Sequence, residues 1–343
     1  MRCDKALGSD NYSGIHPVIL EAITAANVGH VHGYGDDDFS AAAVEDFRKE
    51  FGEGVEVFFV FNGTGCNVTA LAAMLRPYEG IVCADCAHIN VAETGAPERI
   101  LSAKLMPCPS TDAKLTVADV ETQLAGLGNP HAVQPAVLSL SQATELGTVY
   151  SPEELRELTD FAHDKGMLVH MDGARISNAA AALGVSLREA ATGVDVLSFG
   201  GTKNGLMCGE AIVFLNPALA ENFFMIRKQC NQLPSKMRFI SAQFSAFLKD
   251  ELWRSSAQQA NDMAALLAKE AATVPGVEII APVESNQVFA KLPAEHIEAL
   301  QERMFFYVWN EKEGSVRWVC SFDTTAEEIH SFVKDMRRII TGF

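Results

Sequence analysis

SPEELRELTDFAHDKGMLVHMDGAR, residues 151–175, is the stretch on which the fold turns. Ser151 can cap a helix, Pro152 suits its first turn, and Glu154 completes a capping box. Leu155, Leu158, Phe161 and Ala162 make one apolar stripe, and Gly166 supplies an end. Leu168–Met171 then reads as a short strand that delivers Asp172 and Arg175 at its carboxyl end. Similar runs lie on either side: Val55–Phe61, followed by a helix over Gly65–Leu75, then Ile81–Cys83, Ala136–Leu140, Val196–Phe199 and Ala211–Leu215. Strands alternating with helices predict an α/β fold, a mainly parallel sheet covered by helices on both faces. Ligands bind such sheets beyond the carboxyl ends of the strands.

After Phe244 the pattern changes. A helical stretch from Ser245 to Val274 is ended by Pro275-Gly276, and Val277–Ala281, Val288–Leu292 and Val316–Cys320 read as strands. A last helix spans Ala326–Ile340. The expected division is an N-terminal arm (1–35), a large domain (36–250) and a small α+β C-terminal domain (251–343), which suits a chain of 343 residues.

The formal charge of −17, from 27 basic against 44 acidic residues, disfavours nucleic acid and anionic lipid as partners. No apolar run approaches the roughly 20 residues of a membrane span, and Met1–Asp10 lacks a signal-peptide core, so no membrane association is expected. The cysteines (Cys3, Cys66, Cys83, Cys86, Cys108, Cys208, Cys230 and Cys320) are too sparse for a disulfide scaffold, and the cytoplasm is the expected compartment.

Four segments carry chemistry. In Ser198-Phe199-Gly200-Gly201-Thr202-Lys203-Asn204-Gly205, a lysine follows a strand end between glycines. Desolvation would free its amine to attack an aldehyde, although an exposed loop lysine gives the same pattern. Asp172, about thirty residues earlier at another strand end, could hold a protonated pyridine nitrogen, or merely pair with Arg175. The two together are more specific than either. Phe61-Asn62-Gly63-Thr64-Gly65-Cys66-Asn67, between strand and helix, suits a phosphate; Val68 stands where a dinucleotide loop needs its third glycine. His88 in Cys86-Ala87-His88-Ile89 could stack on a flat ring and exchange protons. Cys83 and Cys86 form C-x-x-C beside it, but no second ligand pair of zinc spacing follows, so no metal is expected. His30 and His32 read as loop residues.

Together these segments resemble the L-threonine aldolases of the aspartate-aminotransferase-like, fold type I, pyridoxal 5′-phosphate (PLP) enzymes, nearest the low-specificity and phenylserine-type branch. The resemblance runs from Ser9-Asp10-Asn11-Tyr12-Ser13-Gly14 to Cys320-Ser321-Phe322-Asp323-Thr324. It is most specific at Tyr34-Gly35-Asp36-Asp37, Phe61-Asn62-Gly63-Thr64, Gln142-Ala143-Thr144-Glu145, Met171–Arg175, Phe199–Gly205 and Ser235-Lys236-Met237-Arg238. It implies that Lys203 carries PLP, Asp172 holds the pyridinium and His88 stacks on the ring. Gly63, Thr64 and Gly65 bind the phosphate, with Arg238 from a neighbouring subunit, and Arg175 also helps to position the site. Ser9, Arg175 and Arg317 take the substrate carboxylate, Tyr34 reaches the site from the arm or a partner, and His131 is a second active-site histidine. A homodimer or homotetramer with sites near subunit interfaces is implied. Ser141-Gln142-Ala143-Thr144-Glu145 departs from the glutamate-asparagine-threonine-histidine run of many relatives. The implied reaction is aldol cleavage of L-threonine, L-allo-threonine or a related β-hydroxy-α-amino acid. A PLP-dependent β-eliminating lyase or aminotransferase, a nicotinamide-dependent oxidoreductase and an inert scaffold are the alternatives.

Overall fold

The computed structural model describes residues 5–342, so Cys3 and residues 1–4 of the expected arm lie outside the described residues. Among the described residues one sheet holds β1 (Glu56–Val60), β2 (Glu79–Ala84), β3 (Lys104–Cys108), β4 (Gln134–Ser141), β5 (Leu168–Gly173), β6 (Val196–Gly200) and β7 (Glu210–Phe214). Their order is β1-β7-β6-β5-β4-β2-β3. Pairing is parallel from β3 to β6, and β7 alone runs the other way, between β6 and β1. Every residue of β6 and β7 is buried, as expected of strands covered on both faces. The helix Gly63–Met74 is also buried on nearly every side, which is why it lacks a polar face. Phe47, Phe59, Phe199 and Phe244 interlock against β6 and β1, with Phe47 edge-on to Phe199 at 5.2 Å between centroids. The capping box forms as read. Ser151 Oγ accepts the Glu154 N–H at 3.2 Å and Glu154 Oε2 accepts the Ser151 N–H at 2.7 Å, which starts the helix Pro152–Asp164 ahead of β5.

A second sheet, antiparallel throughout, holds β8 (Glu278–Ile279), β9 (Gln287–Lys291), β10 (Tyr307–Asn310) and β11 (Ser315–Val319) in the order β10-β11-β9-β8. Trp318, Phe306 and Phe332 form its core with the helices Leu252–Ala271 and Ala326–Thr341. Three features differ from the sequence reading. The edge strands β3 and β10 were unmarked. The stretch 245–274 breaks at Lys249–Glu251, where Asp250 and Glu251 take φ of 52° and 53°. Residues 1–35 contain a helix, Pro17–Ala26.

Candidate active site

β5 and β6 bring the two ends of the chemistry together. Asp172 is paired with Ser198 across these strands, and Lys203 follows β6 in a single turn, Thr202–Asn204. Gly200 makes the close approach feasible: a Cβ there would lie 2.4 Å from the Ala174 carbonyl oxygen. Both side chains open on a cleft of about 480 Å³ at the strand ends, shared with Gly63, Thr64, Asn67, His88 and Glu210.

Burial, reinforced by the Arg175 charge, moves the Lys203 amine below the ordinary lysine range, although Asp10, Asp172 and Glu210 pull the other way. Asp172 shows the opposite balance. Burial favours its neutral form, but the Lys203 charge, the Asn67 amide at 2.9 Å and the Ala174 N–H at 3.0 Å hold it ionised, below the usual carboxylate range. Glu210 is buried too. Desolvation pushes its carboxyl up to about 6, even though it accepts the Gly201 N–H at 2.6 Å.

His88 opens a short helix, His88–Val91, just past β2. Its Nδ1 lies 2.8 Å from Oε1 of Glu93, whose side chain is fully buried. This hydrogen bond, opposed by desolvation and helped by Asp172, raises the His88 pKa. The His88 N–H donates to Glu145, which also accepts the Ser141 hydroxyl, so the divergent segment 141–145 packs behind the histidine. The helix Gly63–Met74 begins at Asn62, whose Oδ1 accepts the Gly65 N–H at 2.8 Å. The first-turn N–H groups of Gly63 and Thr64 are left for an anion.

Arg175 and Asp10 form a bidentate pair (2.7 and 2.9 Å), and Asn286 donates to the same buried carboxylate at 3.0 Å. Ser9 caps the adjoining turn through the Asn11 N–H. Arg317, on β11, stacks over Trp309 at 5.3 Å and donates weakly to the Gly8 carbonyl at 3.4 Å. Its Nε is buried without a partner. Burial and the Arg175 charge both lower its pKa.

Ser9, Gly65, Arg175 and Arg317 stand behind or beside the cleft rather than in its lining, and three further predicted residues lie away from it within one chain. Tyr34 is exposed, under the Lys228 ammonium. Arg238 donates to the Val28 carbonyl at 2.8 Å. His131 is exposed in the loop before β4, at the opposite end of that strand from Ser141, the neighbour of Asp172. Asn67, Glu93, Glu210 and Asp10 were missed as site residues; the faint signals were a polar residue in an apolar helix and an acid five residues after His88. Cys83 and Cys86 gather no ligand set. Burial pushes the Cys83 thiol up to about 12, and the one metal-like grouping among the described residues is His88, Glu93 and Asp172. No helix is long and apolar enough to cross a membrane, among the described residues.

A family model described as β-eliminating lyase matches residues 6–295. The low specificity L-threonine aldolase of Pseudomonas aeruginosa is 44% identical over 335 residues, 97% of each chain. That of a second Pseudomonas strain is 42% identical over 337 residues, again 97% of each. A Leishmania major threonine aldolase structure superposes with a TM-score of 0.93 at 31% identity, over 98% of this chain and 99% of that one. Mouse CSAD shares the fold, with a TM-score of 0.78 at 13% identity over 98% and 84% of the two chains.

Proposed function

The chain belongs to the β-eliminating lyase family, and from that membership we propose that it cleaves L-threonine, L-allo-threonine and related β-hydroxy-α-amino acids to glycine and an aldehyde. PLP is the cofactor of this family. The observation that carries the reading is the pair of Lys203, eased toward its free amine, and Asp172, held ionised, in one cleft. The donor set fits PLP: Lys203 for its aldehyde, Asp172 for its ring nitrogen, the free N–H groups of Gly63 and Thr64 at the helix start for its phosphate, with Gly65 held by Asn62, and His88 in the same cleft for its ring. When bound, the group supplies an electron sink for the pair released at the α-carbon.

The chain's own residues select the bond. The unpartnered Nε of Arg317 takes the substrate carboxylate. Ser9 and Arg175 flank it, with Arg175 braced by Asp10. An anchor there would fix the rotation about the substrate's α-carbon and so choose which of its bonds the bound cofactor activates. His88, at the cleft wall, takes the β-hydroxyl proton on Nε2 as the aldehyde leaves. His131 lies outside its own chain's cleft and is assigned, with Tyr34 and Arg238, to a neighbouring subunit's site in a homodimer or homotetramer. Exposed Val28 and Val31 beside Tyr34 support such an interface. The described cysteines are free thiols, which suits the cytoplasm. The division at about residue 250 is supported by two separate cores, although the helix Leu252–Ala271 contributes to both, Trp253 to the first and Ala264 to the second.

The test is product identity with L-threonine, L-allo-threonine and L-phenylserine. Glycine with acetaldehyde or benzaldehyde is expected; pyruvate with ammonia, or a keto acid formed only with an amino acceptor, would overturn the reading.

A further inference from the structure

Glu93 has no exposed side-chain surface and lies outside the cleft lining, yet it touches two residues that face the cleft. Its Oε1 accepts from Asn67 Nδ2 at 2.9 Å and sits 2.8 Å from His88 Nδ1, while Oε2 has no partner. The same Asn67 nitrogen donates to Asp172 at 2.9 Å, so one amide spans both carboxylates. The ligand atoms of His88, Glu93 and Asp172 all lie within 4.8 Å of one another.

We infer that Glu93 is a positioning residue that keeps a proton on His88 Nδ1 and leaves Nε2 to the reacting hydroxyl, and that Asn67 locks this pair in register with Asp172. A buried carboxylate is costly without a charged or donor partner, and the donors it has are Asn67 and His88. The Nδ1 hydrogen therefore belongs between histidine and Glu93, and neutral His88 carries its lone pair on Nε2. A carboxylate behind an imidazole also raises the basicity of the far nitrogen. Asn67 spends both amide hydrogens in joining Asp172, the group that would hold the cofactor's ring nitrogen, to Glu93, the group that serves the histidine. This inference rests on the proposed role of His88 in aldol cleavage, but its first readout does not.

The test is nitrogen NMR of the ¹⁵N-histidine-labelled protein, with H88Q identifying the His88 signals. The expected wild-type result is a neutral His88 protonated on Nδ1. E93Q keeps an acceptor oxygen facing Asn67 and His88, puts its amide nitrogen where Oε2 lacks a partner, and removes the charge. It is expected to move the His88 titration to lower pH, carry the acid limb of the kcat profile with it, and lower kcat about tenfold or more, with a smaller change in KM. E93D, which keeps the charge, is expected to titrate nearer the wild type. A wild-type His88 protonated on Nε2 overturns the inference, whatever the stability of E93Q. So does an unmoved titration in E93Q, or coincident titrations in E93Q and E93D. Failure of wild-type protein to release an aldehyde would instead sink the aldolase reading and leave the NMR result standing.

Discussion

Asp10→Asn is the sharpest test of the architecture, because the buried Asp10 carboxylate joins the N-terminal segment to both sheets. It is 1% exposed and accepts from Arg175 Nε, Arg175 Nη2 and Asn286 Nδ2 at 2.7, 2.9 and 3.0 Å. Asparagine is the same size, but either rotamer turns an NH₂ toward one of those donors and leaves Arg175 without its counter-charge. Removing one partner of a buried pair costs about 3–5 kcal/mol. Unfolding entropy of about 2.1 cal/mol/K per residue, taken over the chain, makes each kcal/mol worth about 1.4 °C, so Tm should fall by about 4–7 °C. The pH dependence has a definite sign. Burial raises the Asp10 pKa, but the Arg175 charge and bonds, Lys203 and Asn286 outweigh it and hold it below the usual carboxylate range. Its stabilisation is therefore complete above an unfolded pKa of about 4 and is lost as pH falls through the lower folded value. Calorimetry should show the wild-type advantage unchanged between pH 7 and 5, shrinking only in stronger acid. Asp10→Asn with Arg175→Met leaves no orphaned charge and should be more stable than Asp10→Asn alone. A single variant melting with the wild type, or a double variant as unstable as the sum of the singles, would refute the reasoning.

Borohydride reduction of the PLP-loaded protein should fix the cofactor on the Lys203 ε-nitrogen, seen by peptide mapping, and Lys203→Ala should yield no adduct. Arg317→Ala should lower kcat/KM for L-threonine by about 30-fold or more, since roughly 2–5 kcal/mol is lost with one partner of a buried charge pair; a change under threefold would move the carboxylate anchor elsewhere. His170, buried between Ser139 and Ser198 hydroxyls at 2.9 and 3.0 Å, has its pKa pushed down by desolvation to about 4. It should stay neutral by NMR from pH 8 to 5, and its contribution to stability should be lost between its unfolded pKa of about 6.5 and that value. Gly200→Ala would set a Cβ 2.4–2.7 Å from Ala174 backbone atoms, which cannot swing aside. It should cost about 1–3 kcal/mol by denaturant titration and weaken cofactor binding, as the Lys203 turn parts from β5.

Local rules sufficed wherever local chemistry dictated the outcome. Ser151, Pro152 and Glu154 announced a helix start, and the strand-end rule placed Asp172 and Lys203 where a ligand would lie. They failed where pairing across the chain decided. Lys104-Leu105-Met106-Pro107-Cys108 carries a lysine and a proline and reads as loop; it becomes a strand because β2 offers it a parallel edge. Asp250 and Glu251 break a helical pattern without the usual glycine. Glu210 owes its bond to Gly201 to the antiparallel seam where Gly200 faces it. Asp10 and Arg175 meet from opposite sides of a long stretch of sequence. Acids of this kind look like surface residues until the fold supplies their partners.

Those late-arriving acids temper three cations that stand close enough to influence one another, Lys203, Arg175 and Arg317. Arg175 is neutralised by Asp10, whereas Arg317 keeps a buried Nε without a partner, the nitrogen to which the proposed function gives the substrate carboxylate. Lys203 is eased toward its neutral form by burial and Arg175, while Asp172 stays charged. At the other pole, His88 has its ring Nδ1 against Glu93 and its backbone N–H on Glu145, the arrangement the proposed function uses for proton transfer. On the proposed function, an α-amino acid would enter with its carboxylate toward Arg317 and its β-substituent toward His88. Reversing the molecule would set its carboxylate against buried acids at a cost of several kcal/mol. If those roles hold, orientation, and with it the choice of the Cα–Cβ bond, follows from where the compensating carboxylates are buried.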